Sequence, residues 1–217
     1  MATRKGRTII TEKKPVFLAC AAVAGKKEGE GPLAKDFDKI FEDTTLGQTC
    51  WEKAESFLMK NAVMTAVEKS GKGMDEFDGI FAGDLLNQCT GSAFALREFG
   101  MPFTGLYGAC STMALSLICA TLAIESGGMS TCISATSSHF CSAEKQFRFP
   151  LEYGGQRSPT AQWTVTGSGA AVLSSVEKYT DLPYIDKVYI GTIEDLGITD
   201  AANMGAAMAP VDVKIEP

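Results

Sequence analysis

Cys110 stands in a sequence context that could make its thiol reactive. It lies in the stretch GLYGACSTMALSLICA (105–120), behind a Gly-Ala pair and directly ahead of an apolar segment as long as a helix. A thiol at the start of a helix is readily ionised and is a good nucleophile. A cysteine in an apolar segment is, however, more often a small buried side chain. From the residues alone, both interpretations of Cys110 stay open.

His139 and Asp84 are the side chains that could act together with Cys110. His139 is the single histidine of the chain. It is therefore the one candidate for a base near neutral pH, although a lone histidine is more often a hydrogen-bonded structural residue. Asp84 follows a short apolar run and is either a turn or helix-capping residue or an oxygen ligand for a hard cation such as calcium. We expect both to lie with Cys110 at one edge of a parallel sheet, where ligands bind.

The segment EKQFRFPLEYGGQRSP (144–159) places two arginines among aromatic side chains. Arg148 and Arg157 could each bind a carboxylate through two hydrogen bonds, and a neighbouring aromatic ring could cover a planar ligand. The segment could therefore hold a small aromatic acid. Composition alone favours a surface hairpin with solvated charges.

An alternation of strands and helices must position these residues. Thr49 and Glu52 have the spacing of a capping box at the start of one helix. The alternation predicts an α/β fold with a mostly parallel sheet. Two last strands, within 163–176 and 183–196, are predicted to be antiparallel neighbours because their connection is too short for a crossover helix. Apolar runs and their ends predict the other strands over 15–25, 80–82, 102–107 and 129–136, and helices over 49–70, 91–99 and 111–126.

Composition and charge exclude several classes of function. The chain has 217 residues, of which 45% are hydrophobic and 21% are charged, as in ordinary globular proteins. Its net charge is -6 and it has no long basic run, which argues against a broad surface for nucleic acid or anionic lipid. Seven cysteines without a CxxC pair, together with one histidine, argue against a zinc site and favour a reducing compartment. We expect no metal and no cofactor.

The uncharged segment 101–124 resembles a membrane span only superficially. Its continuously apolar part is about a dozen residues long, which is too short to cross a bilayer. We expect a fully buried core helix instead. The first fifteen residues are basic but lack the apolar core of a secretory signal. The sequence therefore predicts neither a signal peptide nor a transmembrane helix.

Several longer motifs resemble those of one protein family. The stretches GKKEGEGPL, TCWEKAES, LYGACSTMA and ATSSHFCSAEKQFRFPLEYGGQRSP are similar to those of the stage V sporulation protein AD family. This family consists of thiolase-like proteins of endospore-forming bacteria. The resemblance runs from about residue 13 to residue 210.

The resemblance implies a thiolase-like fold, in which two similar α/β halves form one five-layered α/β/α/β/α body that is dimeric at full length. This chain then corresponds to the first, βαβαβαββ half, and the second half is largely missing. The implied division is an N-terminal tail over 1–14, the thiolase-like half over 15–200, and the start of the link to the absent half over 201–217.

The resemblance also implies a function without catalysis. Members of the family are regarded as binding dipicolinic acid, the pyridine dicarboxylate of spores, free or as its calcium chelate. They act with membrane proteins of the same operon in its uptake into the developing spore and its release at germination. This implies a forespore protein peripheral to the inner membrane, with no nucleic acid as partner. The implied ligand-binding residues are Cys110, Ser111, Asp84, Ser138, His139, Arg148 and Arg157.

Two other functions stay open at this stage. Cys110 matches the position of the nucleophile in thiolase-like enzymes, so the chain could be an active acyltransferase. It could also be a scaffold that binds only its membrane partners.

Overall fold

The structure is a computed structural model that describes residues 2–147, 164–175, 181–192 and 197. Nine strands and five helices lie among these residues. The strands are β1 (Thr3–Lys5), β2 (Thr8–Ile10), β3 (Val16–Gly25), β4 (Lys39–Phe41), β5 (Gly79–Gly83), β6 (Phe103–Gly105), β7 (Thr131–Ser138), β8 (Gly167–Ser174) and β9 (Lys187–Tyr189). The helices are α1 (Lys26–Gly29), α2 (Trp51–Ser70), α3 (Thr90–Leu96), α4 (Thr112–Ser126) and α5 (Phe140–Phe147).

The main sheet has six strands in the order β4-β3-β8-β7-β5-β6. The pairs β3/β4, β5/β7 and β5/β6 are parallel, whereas β8 runs antiparallel to both of its neighbours. This arrangement confirms the α/β fold and the mostly parallel sheet predicted from the sequence. The strands run in one direction except for β8, so the carboxyl ends of β3, β4, β5, β6 and β7 meet at one edge.

The prediction that the last two strands are neighbours is wrong. β8 lies between β3 and β7, and β9 instead pairs with β2 in a separate three-stranded sheet, β1-β2-β9. β8 lies in the middle of the main sheet because it is buried on both of its faces. Ala170 and Val172 of β8 join the core on the α2 side, while Leu173 joins the core on the α4 side. Such a strand belongs in the centre of a sheet.

Helix α2 covers one face of the main sheet. Its inward residues Leu58, Ala62 and Val63 are fully buried. The predicted capping box is wrong, because the helix begins at Trp51 and its N-cap is Cys50, without a side-chain cap. Thr49 and Glu52 therefore each lie one residue before the N-cap and N3 positions that a capping box requires. The Thr49 hydroxyl instead accepts a hydrogen bond from the Lys53 ammonium. The end of the helix is as predicted, with a left-handed residue after Ser70.

Helix α4 covers the opposite face but is not fully buried, so that prediction is also wrong. Its buried stripe consists of Thr112, Ser116, Ala120 and Ile124, each four residues apart. Apolar residues on its other side, such as Leu115 and Leu122, are only half-buried. Within the described part of the chain, the sheet covers α4 on one side only, which leaves the rest of its apolar surface partly accessible.

The segment Ala109–Ser126, which contains α4, is long and apolar enough to cross a membrane by length and composition alone. Its mean hydropathy is 1.5, and 33% of it is buried. The buried stripe described above packs against the sheet, and Glu125 is buried near its end. This packing favours a helix of the protein core over a membrane span, although the helix is not fully buried as the sequence predicts.

The segment 1–14, assigned above to an N-terminal tail, contains the β1-β2 hairpin. The carboxylate of Glu125, at the end of α4, accepts hydrogen bonds from the backbone N–H groups of Glu12 and Lys13 at 3.2 and 2.8 Å. The Lys13 ammonium donates to the carbonyl of Ile124 at 2.6 Å. The three-stranded sheet is therefore anchored at the C-terminal end of α4.

Candidate functional site

Three chain segments with chemically active side chains meet at the carboxyl edge of the main sheet. In the parallel ladders, Gly83 lies opposite Thr136, and Ala82 lies opposite Gly105. The residues that follow β5, β6 and β7 therefore emerge side by side, and adjacent strands are about 4.8 Å apart. As expected from the sequence, this edge carries Asp84, the loop before Cys110, and the end of β7.

Cys110 is exposed, in a turn (Ala109–Ser111) directly ahead of α4. The Ser111 hydroxyl donates to the carbonyl of Gly108 at 2.7 Å, and the Thr112 hydroxyl donates to the carbonyl of Ala109 at 2.7 Å. These bonds hold the turn that presents the thiol. The interpretation of Cys110 as a small buried side chain is therefore wrong. The N–H groups of Ser111 and Thr112 bond to the carbonyls of Gly108 and Ala109 within this turn. The start of α4 carries partial positive charge, which suits an anionic ligand.

Gly83 lets the Cys110 loop approach the end of β5. A Cβ atom at this position would lie 1.9 Å from the carbonyl oxygen of Leu106 and 2.7 Å from the side-chain methyl carbon of Thr112. Only a residue without a side chain fits here. The sequence predicts a strand that ends at residue 82 but gives no sign of this close contact at Gly83.

Asp84 is buried, and both of its carboxylate oxygens accept hydrogen bonds from the protein. One accepts from the backbone N–H of Leu86 at 2.8 Å. The other accepts from the backbone N–H and the hydroxyl of Ser92 at 2.6 and 2.5 Å. Asp84 thus holds the start of α3 against the end of β5. This geometry favours the turn and helix-capping interpretation over cation binding.

His139 is fully buried, and both ring nitrogens face backbone groups. Nδ1 accepts a hydrogen bond from the N–H of Cys141 at 3.2 Å. Nε2 lies 2.8 Å from the carbonyl oxygen of Thr44, so the neutral ring with its hydrogen on Nε2 satisfies both contacts. The ring packs 5.3 Å from that of Trp51 and 5.3 Å from that of Phe140. These contacts favour the structural interpretation of His139 over a base for Cys110.

Ser138 and the two arginines complete the set of predicted site residues. Ser138 is half-buried, and its hydroxyl donates to the carbonyl of Val165, which precedes β8. Arg148 and Arg157 lie outside the described residues. No group of three or more His, Cys, Asp or Glu side chains that could hold a metal ion occurs in the part of the chain that the structure describes.

Glu55 is a buried acid near this edge and is not among the site residues predicted from the sequence. Its carboxylate accepts hydrogen bonds from the hydroxyls of Ser142 at 2.6 Å and Ser137 at 3.3 Å. The pKa of Glu55 is raised from its ordinary value of 4.5 to about 7. Burial is the main cause, the hydrogen bonds from Ser142 and Ser137 oppose it, and the nearby charge of Asp84 adds to it. A signal was present in the sequence, because Glu55 shares the inward stripe of α2 with Met59 at the spacing i, i+4.

A cavity of about 270 Å³ opens at the end of β3, beside α1. It adjoins the site region, because Phe140 follows His139 and the carbonyl of Thr44 binds the histidine ring. The predicted site residues that the structure describes are not among the residues that line this cavity. Its lining consists of Gly25, Lys26, Lys27, Glu28, Glu30, Thr44, Phe140, Thr164 and Thr166.

Comparison with protein families identifies the chain. Residues 5–215 match the family model described as stage V sporulation protein AD. The chain belongs to the stage V sporulation protein AD family. It is 43% identical over 197 residues to stage V sporulation protein AD of Bacillus subtilis (strain 168), an alignment that covers 90% of this chain and 57% of that protein. The chain therefore spans little more than half the length of this relative.

Solved structures of thiolase-like enzymes share the fold. The 3-oxoacyl-[acyl-carrier-protein] synthase III from Aquifex aeolicus VF5 matches with a TM-score of 0.53 at 13% identity, over 76% of this chain and 55% of the enzyme. A variant of Xanthomonas campestris OleA crystallised with cerulenin matches with a TM-score of 0.54 at 11% identity, over 80% of this chain and 60% of OleA. At these identities the similarity establishes the fold alone. The family member described here thus has a thiolase-like α/β fold.

Proposed function

We propose that this chain binds dipicolinic acid, free or as its calcium chelate, at the sheet edge that carries Cys110. The observation that carries the proposal is the exposed turn of Cys110 and Ser111 at the start of α4, a helix of 15 residues. The start of such a helix carries partial positive charge, which attracts a carboxylate. Family membership supports a role in sporulation, and dipicolinic acid is the small aromatic diacid that suits this role.

The other predicted residues have different roles in the proposed site. Arg148 and Arg157 supply the cations for the second carboxylate, which a helix start alone does not balance. Ser138, His139 and Asp84 engage their polar groups within the protein, so they shape the site rather than offer free groups to the ligand.

The proposed function includes no acyl transfer. His139 would have to give up a ring hydrogen bond to the backbone before it could accept a proton from Cys110. In the cell, the chain would act with the membrane proteins of its operon at the inner membrane of the developing spore. It would support uptake of dipicolinic acid during sporulation and its release at germination, as a dimer at full length.

Calorimetric titration with free dipicolinate and with calcium dipicolinate tests the binding site. We expect saturable heat that is lost in Cys110→Phe, because the larger side chain fills the start of α4. Cys20→Phe is the matched control, since Cys20 is an exposed cysteine on β3. Arg157→Ala should weaken binding about tenfold or more, because hydrogen bonds to charged groups contribute roughly 1.5–3 kcal/mol. Absence of heat with both ligands on folded protein would leave the scaffold function.

The acyltransferase alternative has its own test. The fold neighbours named above include a 3-oxoacyl-[acyl-carrier-protein] synthase, so incubation with radiolabelled acyl-CoA is informative. We expect no covalent adduct. An adduct on the wild-type chain that disappears in Cys110→Ala would contradict the non-catalytic proposal.

A further inference from the structure

The cavity beside α1 is separate from the candidate site at the sheet edge. The predicted site residues that the structure describes do not line it. Its volume of about 270 Å³ lies just below the roughly 300–1,000 Å³ of the pockets that hold drug-sized ligands. The cavity is therefore large enough for a small metabolite, and the chemistry of its lining indicates the class of that molecule.

Glu28 lines this cavity and has a carboxylate oxygen without a donor. Its Oε1 accepts a hydrogen bond from the backbone N–H of Thr166 at 3.1 Å. Its Oε2 is buried and has no hydrogen-bond partner among the residues that the structure describes. Buried polar oxygens are nearly always paired, and an unpaired one destabilises the protein. The Glu28 carboxylate can therefore accept one further hydrogen bond, from a donor that a bound molecule supplies.

Hydrogen bonds between three chain segments build the wall of the cavity around Glu28. The N–H of Gly25, at the end of β3, donates to the carbonyl of Thr166 at 2.8 Å. The Thr166 hydroxyl accepts a hydrogen bond from the N–H of Phe140 at 3.1 Å. A Cβ atom on Gly25 would lie 2.9 Å from a methyl carbon of Thr166 and 3.2 Å from Oε2 of Glu28. The glycine thus gives the carboxylate its place, and the wall is formed without a ligand.

The lining carries charges of both signs in equal number. Lys26 and Lys27 are basic, whereas Glu28 and Glu30 are acidic. The Lys26 ammonium lies 4.0 Å from the carboxylate of Glu42, and both side chains are exposed, so this pair is weak and can yield to a bound anion. A ligand with charge of one sign would meet like charges here. A ligand with one charge of each sign would find an opposite charge for both.

Phe140 adds an apolar surface to this charged lining. It is half-buried, and its ring is stacked 5.3 Å from that of His139 and lies 6.4 Å from that of Trp51. These ring contacts hold Phe140 in place at the cavity. An aliphatic or aromatic group of a ligand can pack against such a ring.

We propose that this cavity binds a small zwitterion of the amino-acid class. The ammonium group of the ligand donates to Oε2 of Glu28, its carboxylate binds the Lys26 ammonium, and its side chain packs against Phe140. Hydrogen bonds between charged groups are the strong ones, which gives both ends of the ligand a defined place. A diacid fits less well, because Glu28 and Glu30 would repel its second negative charge. The site does not depend on the function proposed above.

Equilibrium dialysis of the whole chain against radiolabelled L-serine, L-leucine and L-phenylalanine tests the proposal. We expect saturable binding of at least one of them. The N-acetyl form of that amino acid lacks the ammonium group, and the corresponding amine lacks the carboxylate, so neither should displace it at equal concentration. Dipicolinate should not displace it either, because the two sites are separate.

Two variants locate the binding in the cavity. Glu28→Gln should weaken it about tenfold or more, because the amide keeps an oxygen for the N–H of Thr166 but offers no charge to the ammonium group. Lys26→Met should weaken it as well, and its exposed position leaves the fold intact. Glu68→Gln makes the same charge change as Glu28→Gln at an exposed position of α2 and should bind like the wild type.

Each outcome of this experiment decides the proposal. Binding that Glu68→Gln retains and that Glu28→Gln and Lys26→Met weaken supports it, provided that the variants keep the circular dichroism spectrum of the wild type. If Glu28→Gln does not fold, Lys26→Met decides. Absence of binding by all three amino acids overturns the proposal, as does equal binding in every variant. Equal displacement by the amine or by the N-acetyl form also overturns it, since one end of the zwitterion would then go unrecognised. Displacement by dipicolinate would contradict a separate site, whereas a failure of dipicolinate to bind at all would leave this inference untouched.

Discussion

Replacing Glu55 by glutamine should change how the stability of the protein depends on pH. Because the folded chain holds the proton of Glu55 with a pKa of about 7, and the unfolded chain with one near 4.5, unfolding releases this proton at intermediate pH. Stability from this group is therefore intact below about pH 4.5, falls as the pH rises, and levels off above about pH 7. At about 1.4 kcal/mol per pKa unit, the loss is on the order of 3 kcal/mol.

Urea unfolding of wild type and Glu55→Gln over a range of pH measures this effect. The amide keeps the size of the side chain and can still accept the hydrogen bond of Ser142, but it does not ionise. The free energy of unfolding of the variant, relative to that of the wild type, should rise by about 3 kcal/mol between about pH 5 and pH 8. Glu68→Gln, on an exposed position of the same helix, is the control and should show no such rise. A difference between Glu55→Gln and wild type that stays constant over this range would refute the reasoning.

Two further variants test the geometry of the sheet edge. Asp84→Asn removes the charge that raises the pKa of Glu55, so the pH of half-maximal stability loss should move downward in the same urea experiment; an unchanged midpoint would show that the two acids do not interact. Gly83→Ala places a Cβ atom 1.9 Å from a carbonyl oxygen and should destabilise the fold by roughly 3 kcal/mol or more. Gly169→Ala on β8, where a Cβ atom would lie 3.9 Å from the carbonyl oxygen of Ala21, should cost much less in thermal unfolding.

Local patterns in the sequence determined most of the elements and their order. The apolar run of β3, the periodic face of α2 and the glycines that follow α2 and α4 are signals within one element. Such signals depend on the backbone and on short-range contacts, so they can be recognised without knowledge of the fold. The same holds for the shared edge of Asp84, Cys110 and the end of β7, because the topology of parallel strands follows from the alternation of strands and helices.

The roles of individual side chains at this edge were decided only by the tertiary structure. The Nε2 atom of His139 faces a carbonyl 95 positions away in the chain, and the hydroxyl of Ser142 binds Glu55 across 87 positions. No local pattern encodes such partners, because packing of α2 and α5 against the sheet brings them together. The position of β8 in the centre of the sheet is of the same kind, since burial on both of its faces requires neighbours that are distant in sequence.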